Sequence, residues 1–268
     1  LHYWQKQLAG IPPVHGLILD RPRPLQPSFV GKAFTAPIDS ALVQQLNGLG
    51  QTLGATLFMV LHAAFAVLLG RWSRENDIVF GTPIAGRTRK ELAPLIGFFV
   101  NNLVLRSRLN TEQSFAEFLQ ASRITVLEAF EHQDVPFEML VDRFCPERNF
   151  NHSPLFQILF SLQNQMPTDL SLPGVKVSGV AREQSLAKFE LSVQVGPGVD
   201  GYEVEWSYST DIFDAETIAS LAEHYVLLLE AVVAAPEKPL GQLSMVTESD
   251  QRFFAAQAAR AVTGLAPD

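Results

Sequence analysis

No two histidines stand side by side in this chain of 268 residues, and its one cysteine, Cys145, can close no disulfide within it. A lone cysteine also rules out a multi-cysteine zinc site and accords with a reducing cytoplasm. Positive charge is scarce: 20 Lys and Arg face 28 Asp and Glu, a formal net charge of −8. That balance, with no basic run interleaved with aromatics, argues against nucleic acid and anionic membrane as partners. The longest apolar run, residues 55–70, is interrupted by Thr56, His62 and glycine. It falls short of the roughly 20 residues a membrane span requires, so it reads as a buried helix. The Gly-x-Ser-x-Gly elbow, His-Glu-x-x-His and the Walker loop are all absent, which leaves serine-hydrolase and zinc-peptidase readings without support. The chain opens on Leu1-His2-Tyr3-Trp4 with neither an initiator Met nor a signal peptide, and so reads as a fragment.

What is present folds readily. Hydrophobic residues make up 47% of the chain, enough for a sizeable core in one large or two small domains. Residues 2–8 read as the end of a helix, stopped by Gly10 and Pro12-Pro13. Residues 14–28 contain Asp20-Arg21-Pro22-Arg23-Pro24, and each residue before a proline is driven from helical geometry. This stretch is expected to cross the surface in extended form. Residues 29–38, 77–83, 99–107 and 155–163 read as strands. Asp39 caps a helix to about residue 49, and Thr56 opens the buried helix, which ends near Trp72. Ser114 and Glu117 form a capping box for a helix reaching Glu131, and a short helix follows Pro136. Two late strands alternate strictly: Phe189, Leu191, Val193 and Val195, then Tyr202, Val204, Trp206 and Tyr208, each interleaved with polar residues. Their glycine-rich connection predicts an antiparallel hairpin with one solvated face. Asp214 then caps a long helix with Ile218, Leu221, Tyr225 and Leu228 inward. Residues after 247 read as a short helix and linker. Helices and strands mixed without strict alternation predict an α+β fold, layered on a mixed sheet.

Several segments carry candidate chemistry. Gly196-Pro197-Gly198-Val199-Asp200-Gly201 has the spacing of a dinucleotide-binding loop, but an alternating strand follows it, which makes it a hairpin turn. His62, inside an apolar helix, reads as a hydrogen-bonded core residue. Gly81-Thr82-Pro83-Ile84-Ala85-Gly86-Arg87 is a strand entering a loop; its glycines either let backbone approach a ligand or simply let the strand exit. Asn101 falls in a strand, where asparagine is disfavoured unless its amide is satisfied, so it either orients a backbone or faces a cavity. Asp134 reads as the cap of the next helix and Pro136 as its first residue. Gln157, Ser161 and Gln163 share a polar face opposite Ile158, Phe160 and Leu162, either solvated or packed on another element.

Three motifs then make a pattern. Ile96-Gly97-Phe98-Phe99-Val100-Asn101-Asn102, His132-Gln133-Asp134-Val135-Pro136-Phe137-Glu138 and Arg148-Asn149-Phe150-Asn151-His152-Ser153-Pro154-Leu155 closely resemble the later motifs of nonribosomal peptide synthetase condensation domains. Residues 81–87 resemble the stretch leading into the loop that floors that family's active-site tunnel. The resemblance runs from Tyr3-Trp4 to about Glu248. Asn102 departs from it, since threonine is usual there. Residues 97–101 differ from the Gly-Trp-Phe-Thr type sequence of epimerisation relatives, whereas residues 15–24 look more like the subtype that both epimerises and condenses. The family's catalytic His-His-x-x-x-Asp-Gly lies upstream of these motifs and does not occur in this chain.

The resemblance implies the C-terminal lobe of a domain with a chloramphenicol acetyltransferase-like fold. Residues 1–28 would be the end of an inter-lobe helix and a crossing segment, 29–246 the lobe, and 247–268 a tail or linker. It implies no catalytic residue in this chain. It implies a tunnel wall of Thr82, Asn101, His132, Ser161 and Gln163, and a floor loop with Gly81, Pro83, Gly86 and Arg87. Asp134, Pro136, Phe137 and Arg148 would hold the motif structure. The complete domain would form peptide bonds between thioester-tethered substrates carried on phosphopantetheine, with no metal and no tightly bound cofactor. Implied partners are the N-terminal lobe, donor and acceptor peptidyl carrier proteins and an adjoining adenylation domain. Residues 166–185, apolar yet broken by Pro167 and Pro173, would latch onto the other lobe. The alternative is a noncatalytic module that docks a carrier protein or partner lobe.

Overall fold

The computed structural model describes residues 1–87, 89–92, 94–145, 149–163, 175, 185–198, 201–247 and 250–255. Arg148 and most of the expected latch at 166–185 lie outside the described residues. The chain forms helix α1 (His2–Gln7), strand β1 (Val30–Asp39), helices α2 (Ser40–Thr52) and α3 (Leu57–Ser73), and strands β2 (Asp77–Ile84) and β3 (Asn101–Arg108). Helices α4 (Phe115–Glu131) and α5 (Phe137–Phe144) follow, then strands β4 (Ile158–Leu162), β5 (Ser185–Leu186), β6 (Leu191–Pro197) and β7 (Gly201–Ser209), and helix α6 (Ala215–Ala234).

The strands make one mixed seven-stranded sheet in the order β3-β2-β4-β6-β7-β1-β5. The β2–β4 and β4–β6 pairs are parallel and the others antiparallel. As expected, the glycine-rich stretch after β6 joins two antiparallel strands, with Val193 opposite Trp206. The first of these begins at Leu191 rather than Phe189, because Phe189 leaves the ladder to stack on Phe156, centroids 5.3 Å apart.

Helix α3 is apolar all round and lies in the middle of the helical layer, buried from Met59 to Gly70. Phe65 is the hub. Its ring meets Phe80 at 5.2 Å, Phe160 at 4.9 Å, Trp206 at 6.1 Å and Tyr225 at 6.0 Å, joining β2, β4, β7 and α6. Helix α6 is long and apolar enough to cross a membrane. Here Ile218, Leu221, Tyr225 and Leu228 are buried in the core, and the Tyr225 hydroxyl donates to the Leu61 carbonyl at 2.9 Å. His62 is fully buried with Nδ1 3.1 Å from Ser122 Oγ, and burial pulls its pKa down to about 3.

Caps decide where the helices start. Asp39, Thr56 and Ser114 cap their own helices as the sequence predicts, Ser114 with Glu117 in a capping box. Asp214 does not cap α6. Its carboxylate is drawn to Arg21, at 2.7 Å, and the cap comes from Asp20, which accepts the Asp214 N–H at 2.7 Å and the Thr217 hydroxyl at 2.8 Å. Nor does Asp134 cap α5. Pro136 is the cap residue rather than the first helical one, and the Phe137 N–H is taken by Asn101 Oδ1 at 2.9 Å.

Residues 10–28 do not merely cross the surface. Leu17 is buried, and Gln157 takes the His15 N–H at 2.9 Å while donating to the Pro13 carbonyl at 3.1 Å. Glu190 binds His15 Nε2 at 2.7 Å and Arg23 Nε at 2.8 Å. Burial pushes the Glu190 carboxyl up, but His15 and Arg23 outweigh it and hold it below the ordinary carboxylate value. The Leu17 N–H donates to His15 Nδ1 at 3.2 Å, which places the imidazole proton on Nε2, facing Glu190. The segment is a strap tied across the ends of β4, β6 and β7.

Candidate functional site

Side chains alternate across a strand, so the contacts of one residue assign a whole face. Phe80, Phe160 and Trp206 face α3. Their neighbours one residue away therefore point to the face opposite α3. Ser161 lies there in one row with Gln194, Glu205 and Thr35, and Leu159 in the next with Ser192, Ser207 and Ala33. Ser161 is half-buried, and Gln163 and Gln194 are exposed. Ser207 donates to Glu205 at 2.9 Å. This open face is a shallow floor of hydroxyls and amides with two carboxylates, Glu205 beside Gln194 and Glu203 beside Gly196.

At the β2–β3 end the face is closed by aromatics. Phe156 sits over Gly81, where any Cβ would collide with its ring, and Phe137 and Phe189 each lie 5.3 Å from Phe156. Gly81 thus admits a phenylalanine, not a ligand. Pro83 is half-buried beside Asn102 of β3. Gly86 takes φ of 63°, and a Cβ there would strike the Phe99 carbonyl. Arg87 donates to the Leu92 carbonyl and lies 4.4 Å over the Phe99 ring, folding the loop on itself. Beyond it, Ile96 and Phe98 point outward with 104% and 88% exposure. This loop and the α4–α5 turn border an open cleft of 320 Å³ lined by Gly86, Phe98, Asn101, Gln133, Asp134 and Pro136.

Three expected wall residues are placed otherwise. Thr82 shares the face of Phe80 and is only 3% exposed, so it belongs to the core rather than to an open wall. Asn101 borders the cleft, but its amide is fully used. Nδ2 donates to the Gln133 and Val135 carbonyls at 3.0 Å each and Oδ1 receives Phe137 N–H. Of the two readings open for Asn101, backbone orientation is the one realised. His132 lies at the C-terminal cap of α4, its ring stacked on Tyr3 at 4.3 Å. Its carbonyl accepts Trp4 Nε1–H at 3.1 Å, and Nδ1 lies 2.9 Å from the Glu128 carbonyl. His132 anchors α1 rather than joining Thr82 and Asn101. Arg106 completes that anchor, bidentate to Asp77 at 2.6–2.7 Å and bonded to the Gln7 and Ala9 carbonyls. Asp134 is exposed at the turn. The sequence reading did not anticipate Gln194, Ser207 or the strap cluster of His15, Arg23 and Glu190. The strand alternation held the signal for the first two.

Among the described residues no three His, Cys, Asp or Glu side chains are grouped to hold a metal. Chemically, the face can hold neutral hydrogen-bonding groups along its rows, and the exposed loop can meet an apolar surface.

Tyrocidine synthase 3 of Brevibacillus parabrevis is 39% identical over 252 residues, covering 93% of this chain and 4% of that one. Surfactin synthase subunit 1 of Bacillus subtilis is 37% identical over 248 residues, covering 92% and 7%. The chain thus spans about one-twentieth of the length of such relatives. Among solved structures, the X-domain from teicoplanin biosynthesis, in complex with OxyB, matches with a TM-score of 0.83 at 28% identity, covering 92% of this chain and 55% of that one. A four-domain nonribosomal peptide synthetase bound to AMP and glycine matches in fold, with a TM-score of 0.84 at 24% identity, covering 93% and 20%. The family model described as Condensation domain matches residues 1–254, and the chain belongs to the condensation domain family.

Proposed function

We propose that this chain is the C-terminal lobe of a condensation domain and supplies one wall and the floor loop of its reaction channel. There an acceptor amine on one carrier protein attacks the donor thioester on another. The C–N bond forms, the C–S bond breaks, the thiol leaves and the amine loses its proton. The observation that carries this reading is a pairing: family membership over residues 1–254, and no His-His-x-x-x-Asp-Gly anywhere in the sequence. The base or positioning histidine would come from the other lobe, and this lobe alone would be inactive.

The channel's work is alignment of two tethered reactants, which removes much of the entropic barrier. The open face suits this. Ser161, Gln163 and Gln194 offer neutral donors and acceptors, matched to the amides of a phosphopantetheine arm. The outward Ile96 and Phe98 suit a floor loop that seats against the other lobe. No metal and no tightly held cofactor are needed from this chain. The site of action would be the cytoplasm, with an adjoining adenylation domain supplying activated substrate.

A second reading, a noncatalytic docking module, is favoured by one observation: the X-domain neighbour is captured in complex with OxyB. Product formation from loaded carrier proteins, by this chain alone and together with a lobe bearing the histidine motif, separates the two.

A further inference from the structure

Strand β3 ends the sheet, so among the described residues no strand pairs with its outer side. The Leu109 N–H donates to the Asn76 carbonyl at 2.7 Å, in register with the β2–β3 ladder. Backbone groups alternate in direction along a strand. Leu105 and Ser107 therefore bond toward β2, while Arg106 and Arg108 turn their N–H and C=O groups outward. Arg106 to Arg108 line a cleft of 150 Å³ with a helix on either side. Ser107 shares the face of Phe80, where α4 supplies Phe118, Ala121 and Thr125. The Arg106 side chain takes the other face and ties down α1 through the Gln7 and Ala9 carbonyls at 2.9 and 2.8 Å.

Two side chains of this cleft are left over. Ser107 is only 4% exposed, and among the described residues its hydroxyl has no hydrogen-bond partner. Arg108 is exposed, and Asp77 stands directly opposite it in register. Asp77 gives its two oxygens to Arg106 instead, at 2.7 and 2.6 Å. Among the described residues Arg108 has no ion-pair partner.

We propose that an extended segment of a partner protein adds to the free edge of β3 here, antiparallel, with an acidic residue opposite Arg108. Two outward N–H and C=O pairs, two residues apart, match the repeat of an antiparallel strand, whereas an apolar surface would leave them unpaired. Residues opposite Arg106 and Arg108 would carry their side chains on the arginines' own face, where a carboxylate meets Arg108. The residue between them would turn a small polar side chain toward Ser107 and α4. Main-chain bonds then supply affinity and the alternate side chains selectivity. The cleft lies at the sheet edge rather than on the open face, so it stands or falls independently of the reaction assigned there.

The test titrates the isotope-labelled chain with a capped Val-Glu-Ser-Thr-Val peptide, which sets glutamate opposite Arg108 and threonine opposite Arg106. Binding should shift the amides of Arg106, Arg108 and residues 118–125. N-methylation of the glutamate and threonine nitrogens, which face β3, should weaken binding at least tenfold. N-methylation of the serine nitrogen, which faces away, should leave it within threefold. Arg108→Glu should weaken binding at least tenfold and reverse the preference toward a peptide with lysine in place of glutamate. The arginine is exposed, so folding should persist, and a melting curve checks it. The methylation arms use the unaltered chain and hold whatever that variant does. Equal loss from the two methylations would mean that side chains alone hold the peptide, and would overturn the proposal. So would an absence of shifts at Arg106 and Arg108, or a folded Arg108→Glu chain that still prefers the glutamate peptide.

Discussion

Asn101 Oδ1 accepts the backbone N–H of Phe137 at 2.9 Å, so a residue on strand β3 caps helix α5 from 36 positions away. The same amide holds the two carbonyls just before that helix. One side chain thus sets the α4–α5 turn against the sheet. Asn101→Ala removes the cap and both other bonds, and should cost about 2 kcal/mol in urea unfolding. Asn101→Asp should cost at least as much, since its second oxygen would face the Gln133 and Val135 carbonyls. A stable Asn101→Asp protein would show that the amide does not do this work.

Thr82 and Ser161 lie on adjacent strands but on opposite faces of the sheet. Thr82→Trp overfills the core beside Phe80 and should collapse the melting transition. Ser161→Trp, on the open face, should leave the melting temperature within a few degrees. In a complete condensation domain it should lower product formation at least a hundredfold, as misplacing a tethered reactant by about 1 Å does. Wild-type turnover with Ser161→Trp would remove the open face from the substrate path.

These two cases show how far the sequence could be read. Period and local capping were legible: the alternating hairpin of β6 and β7, the all-apolar α3, and the Ser114–Glu117 box all formed where the pattern put them. Caps donated across the fold were not. Asp134 and Asp214 stand where local caps belong, yet Asn101 and Asp20 do the capping, and only the packed chain brings them there. The misplacement of Thr82 had another cause. A family motif located its strand, but the face is set by parity, and Phe80 two residues earlier already marked that parity as inward. The strap cluster was invisible because His15 and Arg23 reach Glu190 only across sequence separations of 175 and 167.

His62 gives the fold a dependence on pH. Its folded pKa of about 3 lies below the ordinary 6.5, so the unfolded chain binds the proton first. Stability is complete above pH 6.5 and falls as pH drops toward 3, at about 1.4 kcal/mol per unit. Urea unfolding at pH 6.5 and pH 5 should differ by about 2 kcal/mol from this group. His62→Gln should remove that part of the difference. An unchanged slope in the variant would mean that His62 is protonated in the folded chain.

Glu190 carries the strap. Glu190→Gln leaves Arg23 without its counter-charge in a largely buried site, and should cost about 3 kcal/mol. Hydrogen exchange should quicken over residues 14–23 before it does over β6. Uniform quickening across the lobe would instead make Glu190 part of the global core.

The most direct measurement is intact-protein mass spectrometry of an acceptor carrier protein incubated with a loaded donor carrier protein and this chain. With the chain alone, the acceptor should stay at its starting mass, matching a no-protein control. Adding a condensation-domain lobe that bears His-His-x-x-x-Asp-Gly should shift it by one donor acyl group. Dipeptidyl product from this chain alone would contradict the two-lobe assignment.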